Sequence, residues 1–151
     1  MPIGDICNRD VAFAARDTTA QAAAKLMRRY HVGSLVVIDD SNGRRQPVGI
    51  ITDRDIVLEI YALDLDPNVI TIGDVMTQKL ITVPETFGVM ETTQLMRAKG
   101  VRRVPVVDGE GNLTGIVTVD DLLQVLAEEL NAVTQTVSHE QSHEVRTRAC
   151  F

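Results

Sequence analysis

The stretch Gly-Ile-Ile-Thr-Asp-Arg-Asp at residues 49–55 occurs a second time as Gly-Ile-Val-Thr-Val-Asp-Asp at residues 115–121. The segment before it is repeated too, because Val-Gly-Ser-Leu-Val-Val-Ile-Asp at residues 32–39 aligns with Val-Arg-Arg-Val-Pro-Val-Val-Asp at residues 101–108. Internal similarity at a nearly constant spacing indicates a repeated structural unit. The chain of 151 residues is therefore predicted to contain two copies of a unit of roughly sixty residues.

Both copies have the same predicted order of elements: strand, helix, strand, strand, helix. The first helix of copy one is predicted to follow Thr18, whose spacing from Gln21 fits a capping box. Two aliphatic runs separated by an Asn/Gly/Asp-rich turn then predict a hairpin, with the longer turn, residues 40–46, in copy one. A second helix is expected over residues 54–62. The apolar faces of the two first helices are Ala23, Leu26, Met27 and Tyr30, and Val89, Thr92, Leu95 and Met96.

The fold class that this order predicts is α+β, with two tandem β-α-β-β-α repeats. One such unit is too small to cover both faces of its sheet, so the two are expected to pack together. We place repeat 1 at residues 1–63, a short turn-rich linker at 64–70, repeat 2 at 71–127, and a helical extension with a polar tail at 128–151.

The composition excludes several classes of protein. Hydrophobic residues make up 44% of the chain and charged residues 24%, which is typical of a globular domain. The formal net charge of −6 gives no bulk attraction to phosphate backbones or anionic lipid. Three Phe and two Tyr without Trp also offer few rings for base stacking. Nucleic acid is therefore not an expected partner.

The sequence also indicates the compartment. No apolar run approaches the roughly 20 residues that cross a bilayer, and the N-terminal residues lack the pattern of a secretory signal. We therefore expect no membrane insertion and a cytoplasmic location. Cys7 and Cys150 form no Cys-x-x-Cys pair and are expected to be reduced thiols.

The repeated Thr-x-x-Asp pattern allows two interpretations. Thr52 and Asp55 have the spacing of a capping box, in which the hydroxyl and the carboxylate each accept a backbone N–H. The same pair also suits a ribose-phosphate, since a carboxylate accepts hydrogen bonds from vicinal hydroxyls while a hydroxyl contacts phosphate. The pattern alone does not decide between a cap and a ligand site.

Together, the order, spacing and tandem repetition of these segments resemble a pair of cystathionine β-synthase (CBS) domains, a Bateman module, over about residues 3–126. The resemblance implies two repeats packed through their sheets with pseudo-twofold symmetry. It also implies clefts that bind adenosine-containing ligands such as AMP, ADP, ATP, NAD or S-adenosylmethionine. Such a module senses and regulates without catalysis, commonly as a homodimer. As a stand-alone module, it would signal to a separate, unidentified effector protein.

The resemblance assigns roles to the repeated motif residues. Asp55 and Asp121 would accept the ribose hydroxyls, and Thr52 and Thr118 would contact phosphate. The adenine would lie against backbone and aliphatic groups near residues 12–14 and 81–83.

The two sites are not expected to be equivalent. The first copy carries Arg54 inside its motif, which favours the cleft with Thr52, whereas the second carries an acidic residue there. Arg102 and Arg103 are further candidates for phosphate contact, and copy one has Gly-Ser at the matching positions. Solvated arginines at a strand end are an equally good interpretation of that pair.

A His-Glu-x-x-His pattern at residues 139–143 matches a zinc-hydrolase motif. It lacks an obvious third ligand and lies in a polar context, so no catalytic metal is expected and a zinc hydrolase remains the remote alternative. A ligand-free dimeric interaction scaffold is the other alternative. We expect the last helix to run from Asp120 through Leu130 towards Val137, with a fraying polar end and an apolar stripe that pairs with a second subunit. His31 is expected to cap a helix.

Overall fold

The computed structural model of the chain describes residues 1–148. It has an α+β fold with two three-stranded sheets, as the sequence predicts. The first repeat contains a 3-10 helix (Ile3–Asp5), β1 (Phe13–Ala15), α1 (Ala20–Tyr30), β2 (Ser34–Ser41), β3 (Arg44–Thr52), α2 (Asp53–Ile56) and a π-helix (Val57–Tyr61). The second contains α3 (Ile72–Val75), β4 (Val83–Pro84), α4 (Val89–Lys99), β5 (Arg103–Val107), β6 (Leu113–Thr118) and α5 (Val119–Arg148).

The two sheets have identical topology. In the first, β1 runs parallel to β2 and β2 runs antiparallel to β3. In the second, β4, β5 and β6 repeat this arrangement. Each antiparallel pair shifts register at the matching point, between Val37 and Ile38 and between Val106 and Val107. The predicted order of strand, helix, strand, strand, helix is confirmed in both copies.

The start of α1 differs from the prediction. Thr19, and not Thr18, is the N-cap, and its Oγ1 accepts the backbone N–H of Ala22 at 3.2 Å. The backbone N–H groups of Ala20 and Gln21 are taken by the carbonyls of Ile70 and Pro67 in the linker. The linker thus fixes the first turn of the helix one residue later than the local pattern suggests.

The hairpin of the first repeat also differs from the prediction. The three extra residues lengthen the strands, because β2 continues to Ser41 and β3 begins at Arg44. The turn is reduced to Asn42 and Gly43, both with positive φ (59° and 72°). This two-residue turn matches the right-handed twist of the strands.

The C-terminal ends of the helices agree with the prediction in some cases and differ from it in others. Residues 53–61 are helical as predicted, but the last five form a π-helix. His31 ends α1 with φ of 54°, and its N–H donates to the Met27 carbonyl, which confirms the capping interpretation. The long helix α5 does not fray after Val137 and continues to Arg148. An ion pair between Glu144 and Arg148 (2.6 Å) supports this polar end.

The opening segment of each repeat, residues 3–8 and 72–77, packs against the opposite repeat. The N–H groups of Ile3 and Gly4 donate to the carbonyls of Phe87 and Glu85. The matching residues Ile72 and Gly73 donate to the carbonyls of Thr18 and Arg16, at 2.8 and 3.0 Å. The same contact thus occurs twice with the roles of the repeats exchanged, as pseudo-twofold symmetry requires.

The packing of each opening segment on the opposite repeat completes both hydrophobic cores. Ile3 and Cys7 belong to the core cluster that contains Val104, Val117 and Leu122 of repeat 2. The core of repeat 1 has the corresponding composition, with Ile72 and Met76 of repeat 2 packed among Ala14, Ala23, Met27, Leu35, Val37 and Ile51. Neither core is complete without the other repeat. Within residues 1–148, no helix is both long and apolar enough to span a membrane.

Candidate functional site

The Thr-x-x-Asp motif of the first repeat forms a complete capping box at the start of α2. The Asp55 N–H donates to Thr52 Oγ1 at 3.0 Å, and the Thr52 N–H donates to Asp55 Oδ2 at 2.9 Å. Among the described residues, the Thr52 hydroxyl proton and Asp55 Oδ1 have no hydrogen-bond partner. The box therefore leaves one donor and one acceptor for a ligand.

The matching motif of the second repeat closes on itself more fully. The Thr118 N–H donates to Asp121 Oδ2 at 2.7 Å, and the Thr118 hydroxyl donates to the same oxygen at 2.7 Å. The Asp121 N–H lies 3.3 Å from Thr118 Oγ1. The Thr118 hydroxyl proton is thus used inside the box, unlike that of Thr52.

A cleft with a volume of about 260 Å³, here called cleft A, lies between the repeats. Repeat 1 contributes Ile50 and Thr52 from the end of β3. Repeat 2 contributes the rest of the lining, which is Thr77, Lys79, Leu80, Ile81, Val101, Arg102 and Arg103. Aliphatic and cationic side chains thus share one small space, which is a common composition for a ligand site.

The opening segment of repeat 2 brings the two halves of cleft A together. The Thr77 N–H donates to the Ile50 carbonyl at 3.1 Å, so the chain leaving α3 lies along β3. Lys79 follows two residues later and reaches the same cleft as Thr52. The packing that completes the core of repeat 1 therefore also positions Lys79.

A second cleft, here called cleft B, is lined by residues of repeat 1 that include the counterparts of five lining residues of cleft A, and has a volume of about 460 Å³. Asn8 and Ile116 exchange two backbone hydrogen bonds of 2.9 Å, which corresponds to the contact of Thr77 with Ile50. The lining of cleft B consists of Asn8, Asp10, Val11, Ala12, Phe13, Leu26, Tyr30 and Val32. None of these side chains is cationic.

Two arginines near cleft B are already engaged by other groups. The Arg9 guanidinium pairs with Glu85 and also donates to the Gly4 carbonyl at 2.8 Å. This guanidinium holds the pKa of the Glu85 carboxyl below its usual value. Arg45 stacks on the Phe13 ring, 4.7 Å from its centroid.

The structure brings some of the predicted site residues together. Thr52, Arg102 and Arg103 line cleft A with Ile81 from the segment predicted to contact adenine. Ala12, from the corresponding segment of repeat 1, lines cleft B.

Other predicted residues lie beside the clefts. Arg54 is exposed on α2 and outside the lining of cleft A, and Asp55, which is hydrogen-bonded to Thr52 in the capping box, is also outside that lining. Thr118 and Asp121 do not line cleft B.

Lys79 lines cleft A but was not among the site residues predicted from the sequence. A signal was present, since the repeat alignment places Lys79 opposite Asp10 and so reverses the charge at one position.

The His-Glu-x-x-His pattern lies on the exposed part of α5, with His139 and His143 one turn apart. Among residues 1–148, no group of three His, Cys, Asp or Glu side chains is placed to hold a metal ion. Within the part of the chain that the structure describes, the pattern is therefore not joined by the third protein ligand that a catalytic zinc site needs.

A tandem of β-α-β-β-α repeats with exchanged opening segments and a cleft lined by both repeats defines a paired module. The CBS domain family model matches residues 3–62 and 72–128. The chain belongs to the CBS domain family and contains a tandem pair of these domains, as the resemblance implies. CBS domain pairs are regulatory modules and are generally non-catalytic.

Relatives in other organisms share this organisation. Uncharacterized protein MK0525 of Methanopyrus kandleri is 40% identical over 123 residues, covering 82% of this chain and 61% of that protein. This chain thus spans less than two thirds of the length of that relative. Hypoxic response protein 1 of Mycobacterium tuberculosis is 36% identical over 133 residues, covering 88% and 89% of the two chains.

Two solved structures carry the same fold. The crystal structure of Hypoxic Response Protein I with two coordinated zinc ions has a TM-score of 0.71 at 35% identity, covering 82% of this chain and 98% of that one. The CBS domain pair of protein MJ0100, in complex with 5′-methylthioadenosine and S-adenosyl-L-methionine, has a TM-score of 0.72 at 29% identity. That comparison covers 85% of this chain and 98% of the other.

Proposed function

We propose that the chain is a non-catalytic sensor that binds an adenosine-containing ligand in cleft A and signals to a partner protein. The observation that carries the proposal is the composition of cleft A, in which Thr52 of one repeat faces Arg102 and Arg103 of the other. A ligand bound there would touch both repeats. Its binding would therefore stabilise one arrangement of the pair.

Each part of a nucleotide has a matching group in cleft A or, for Asp55, in the capping box at its edge. The aliphatic side chains of Ile50, Leu80, Ile81 and Val101 offer an apolar surface for a base. The Thr52 hydroxyl proton and the second carboxylate oxygen of Asp55 are available for ribose or phosphate. The cationic side chains suit a phosphate group. Binding of 5′-methylthioadenosine and S-adenosyl-L-methionine by the MJ0100 pair supports an adenosine ligand.

The proposal assigns no chemical step to the protein. The lining of cleft A contains no Cys, His, Asp or Glu that would act as a nucleophile or general base. The ligand, which is AMP, ADP, ATP, NAD or S-adenosylmethionine, therefore binds reversibly and acts as a signal. We propose that this sensing takes place in the cytoplasm. The effector protein is unidentified.

We also propose that the chain forms a homodimer through α5. The exposed apolar side chains of this helix recur at alternating spacings of three and four residues, as in a coiled-coil seam. They are Leu123, Leu126, Leu130, Val133 and Val137. A second copy would cover this stripe, and the effector would then recognise the dimer.

A thermal-unfolding panel tests the adenosine-ligand proposal. The nucleotide-stripped protein is heated with AMP, ADP, ATP, NAD, S-adenosylmethionine and guanosine nucleotides. A ligand at about 100 times its dissociation constant adds about 2.7 kcal/mol, which raises the melting temperature by about 5–11 °C for this size. We expect such a rise with at least one adenosine ligand and none with guanosine nucleotides.

Matched variants locate the site. Asp55→Asn keeps a side-chain oxygen for the Thr52 N–H but removes the carboxylate, so ligand binding should weaken by about 1–3 kcal/mol. Asp121→Asn makes the same change in the other repeat and should leave binding at cleft A unchanged. Absence of any shift with every adenosine ligand would overturn the sensor and favour a ligand-free dimeric scaffold.

A further inference from the structure

We propose that cleft A is selective for phosphate-bearing adenosine ligands and that cleft B rejects them. This inference rests on the proposed function and narrows its ligand class. It follows from a reversal of charge at symmetry-related positions of the two clefts. Lys79, Arg102 and Arg103 of cleft A align with Asp10, which lines cleft B, and with the uncharged residues Gly33 and Ser34, which do not line it.

The two clefts have the same backbone frame, so their side chains can be compared position by position. Thr77 donates its N–H to the Ile50 carbonyl, and Asn8 donates its N–H to the Ile116 carbonyl. Two residues after Thr77 the opening segment of repeat 2 carries Lys79, and two residues after Asn8 the opening segment of repeat 1 carries Asp10. At this position of the shared backbone frame, the two clefts therefore differ in charge.

The three cations of cleft A are not neutralised by the protein. None of Lys79, Arg102 and Arg103 has a carboxylate within 4.0 Å among residues 1–148, whereas Arg9, Arg16 and Arg148 do. Three like charges around one small cleft repel each other, and an anion placed among them removes that repulsion. The surrounding chain is acidic overall, with a net charge of −6, so this positive region is local.

The residue types indicate phosphate as the anionic group. Arginine presents a planar fork that matches phosphate oxygens, and lysine adds a compact charge. S-adenosylmethionine has no phosphate, and its single carboxylate is accompanied by ammonium and sulfonium cations, so it gains less from these side chains than a nucleotide does. In cleft B, Asp10 would repel a phosphate, while the nearby Arg9 is paired with Glu85.

Isothermal titration calorimetry of the full chain tests the inference. The titrants are ATP, AMP, adenosine, S-adenosylmethionine and pyrophosphate, each at low and at high salt. We expect one ATP site per chain, with affinity that falls as salt rises. Adenosine and S-adenosylmethionine should bind about 10- to 100-fold more weakly than ATP, the loss expected when charge-assisted hydrogen bonds are missing.

Two charge-exchange variants give opposite results under the inference. Lys79→Asp should weaken ATP binding about tenfold or more and leave adenosine binding within about twofold. Asp10→Lys removes the repelling carboxylate of cleft B but supplies only one cation, so it should add a second ATP site of lower affinity than cleft A. Both side chains are exposed, so unfolding by urea should show unchanged stability for both variants and confirm that each remains folded.

The outcomes separate this inference from the proposed function. Equal affinities for adenosine and ATP, or two ATP sites in the unmodified protein, would overturn the charge selectivity and leave the adenosine sensor intact. Binding of pyrophosphate as tight as that of ATP would show an anion site with no nucleoside preference, which overturns the inference as stated. Absence of binding by every adenosine compound would overturn both.

Discussion

A Cβ atom built on Gly115 would lie 2.5 Å from the Sγ atom of Cys7. The symmetry-related Gly49 has the same relationship to Met76, whose Sδ would lie 2.5 Å from the added atom. Each opening segment thus lies directly against a strand of the other repeat, at a place where no side chain fits. This close approach at two matching glycines joins the repeats.

Gly115→Ala is expected to destabilise the protein by about 1–3 kcal/mol, the usual effect of overpacking a core. The added methyl group would meet Cys7 Sγ and, at 3.2 Å, both Cys7 Cβ and the Asn8 carbonyl, none of which is the end of a long side chain. Gly49→Ala should reduce the free energy of unfolding by less than Gly115→Ala does, because the Met76 side chain is flexible and can move aside. Urea unfolding monitored by circular dichroism measures both.

Gly109→Ala is the matched control, since nothing lies within 4 Å of a Cβ atom there; it should change stability by less than about 0.5 kcal/mol. In the double variant Cys7→Ala/Gly115→Ala, part of the lost stability should return. An unchanged midpoint for Gly115→Ala would contradict the close packing of the opening segment.

Cys7 is expected to react slowly with alkylating reagents in the folded protein. Burial raises the pKa of its thiol, and only 9% of the residue is exposed. Since the thiolate is the nucleophile, a Cys150→Ser variant with this single thiol should react with iodoacetamide at pH 8 about tenfold or more slowly when folded than in urea. Equal rates would show that the opening segment detaches readily.

His31→Gly is expected to stabilise the protein by about 0.5–1 kcal/mol, because a side chain disfavours the left-handed conformation. His31 ends α1 with φ of 54°, and the corresponding Gly100 ends α4 with φ of 66°. Gly100→Ala should therefore destabilise the protein by a similar amount. Urea denaturation curves measure the stability of both variants. A loss of stability in His31→Gly would show that the imidazole makes a stabilising contact.

The ion pair of Arg9 with Glu85 should make stability depend on pH. The folded pKa of Glu85 is lowered, chiefly by its hydrogen bond with Arg9. Its contribution is therefore present above the unfolded pKa of about 4.3 and is lost as pH falls through the lower folded value. Compared with Glu85→Gln, the unmodified protein should melt at a higher temperature at pH 7, and the difference should shrink as the pH falls below about 4.3. A constant difference would contradict the linkage.

Val133→Asp is expected to convert the proposed dimer to monomer, because it places a charge in the apolar stripe of α5. Gln135→Asp adds the same charge away from the stripe and should leave the dimer intact. Sedimentation velocity at micromolar concentrations distinguishes the two. A monomeric unmodified protein over this range would contradict self-association through α5.

Much of the fold could be predicted from the sequence because the repeat supplies a comparison within one chain. Two matching segments fixed the element order, and the aliphatic runs identified β2 and β5 correctly. The same alignment identified Thr52, Arg102 and Arg103 as candidate site residues, and the structure places them around one cleft.

The remaining features depend on contacts between distant residues. An alignment shows that Ile3 corresponds to Ile72, but not that each packs on the opposite repeat. The N-cap at Thr19 results from carbonyls of the linker, which no local pattern contains. Lys79 was overlooked because it lies outside the motif, although its position becomes significant once the clefts are compared.

The exchanged opening segments also have a consequence for synthesis of the chain on the ribosome. Arg9 contacts the carbonyl of Thr114, 105 residues later, and Ile3 packs in a core that includes Leu122. During translation, repeat 1 is synthesised before these partners exist. The apolar side chains of residues 3–8 therefore stay exposed until β6 and the start of α5 have been synthesised. Contacts so far apart in sequence form late. The opening segment of repeat 1 is therefore synthesised before most of its partners but is among the last segments to reach its native position.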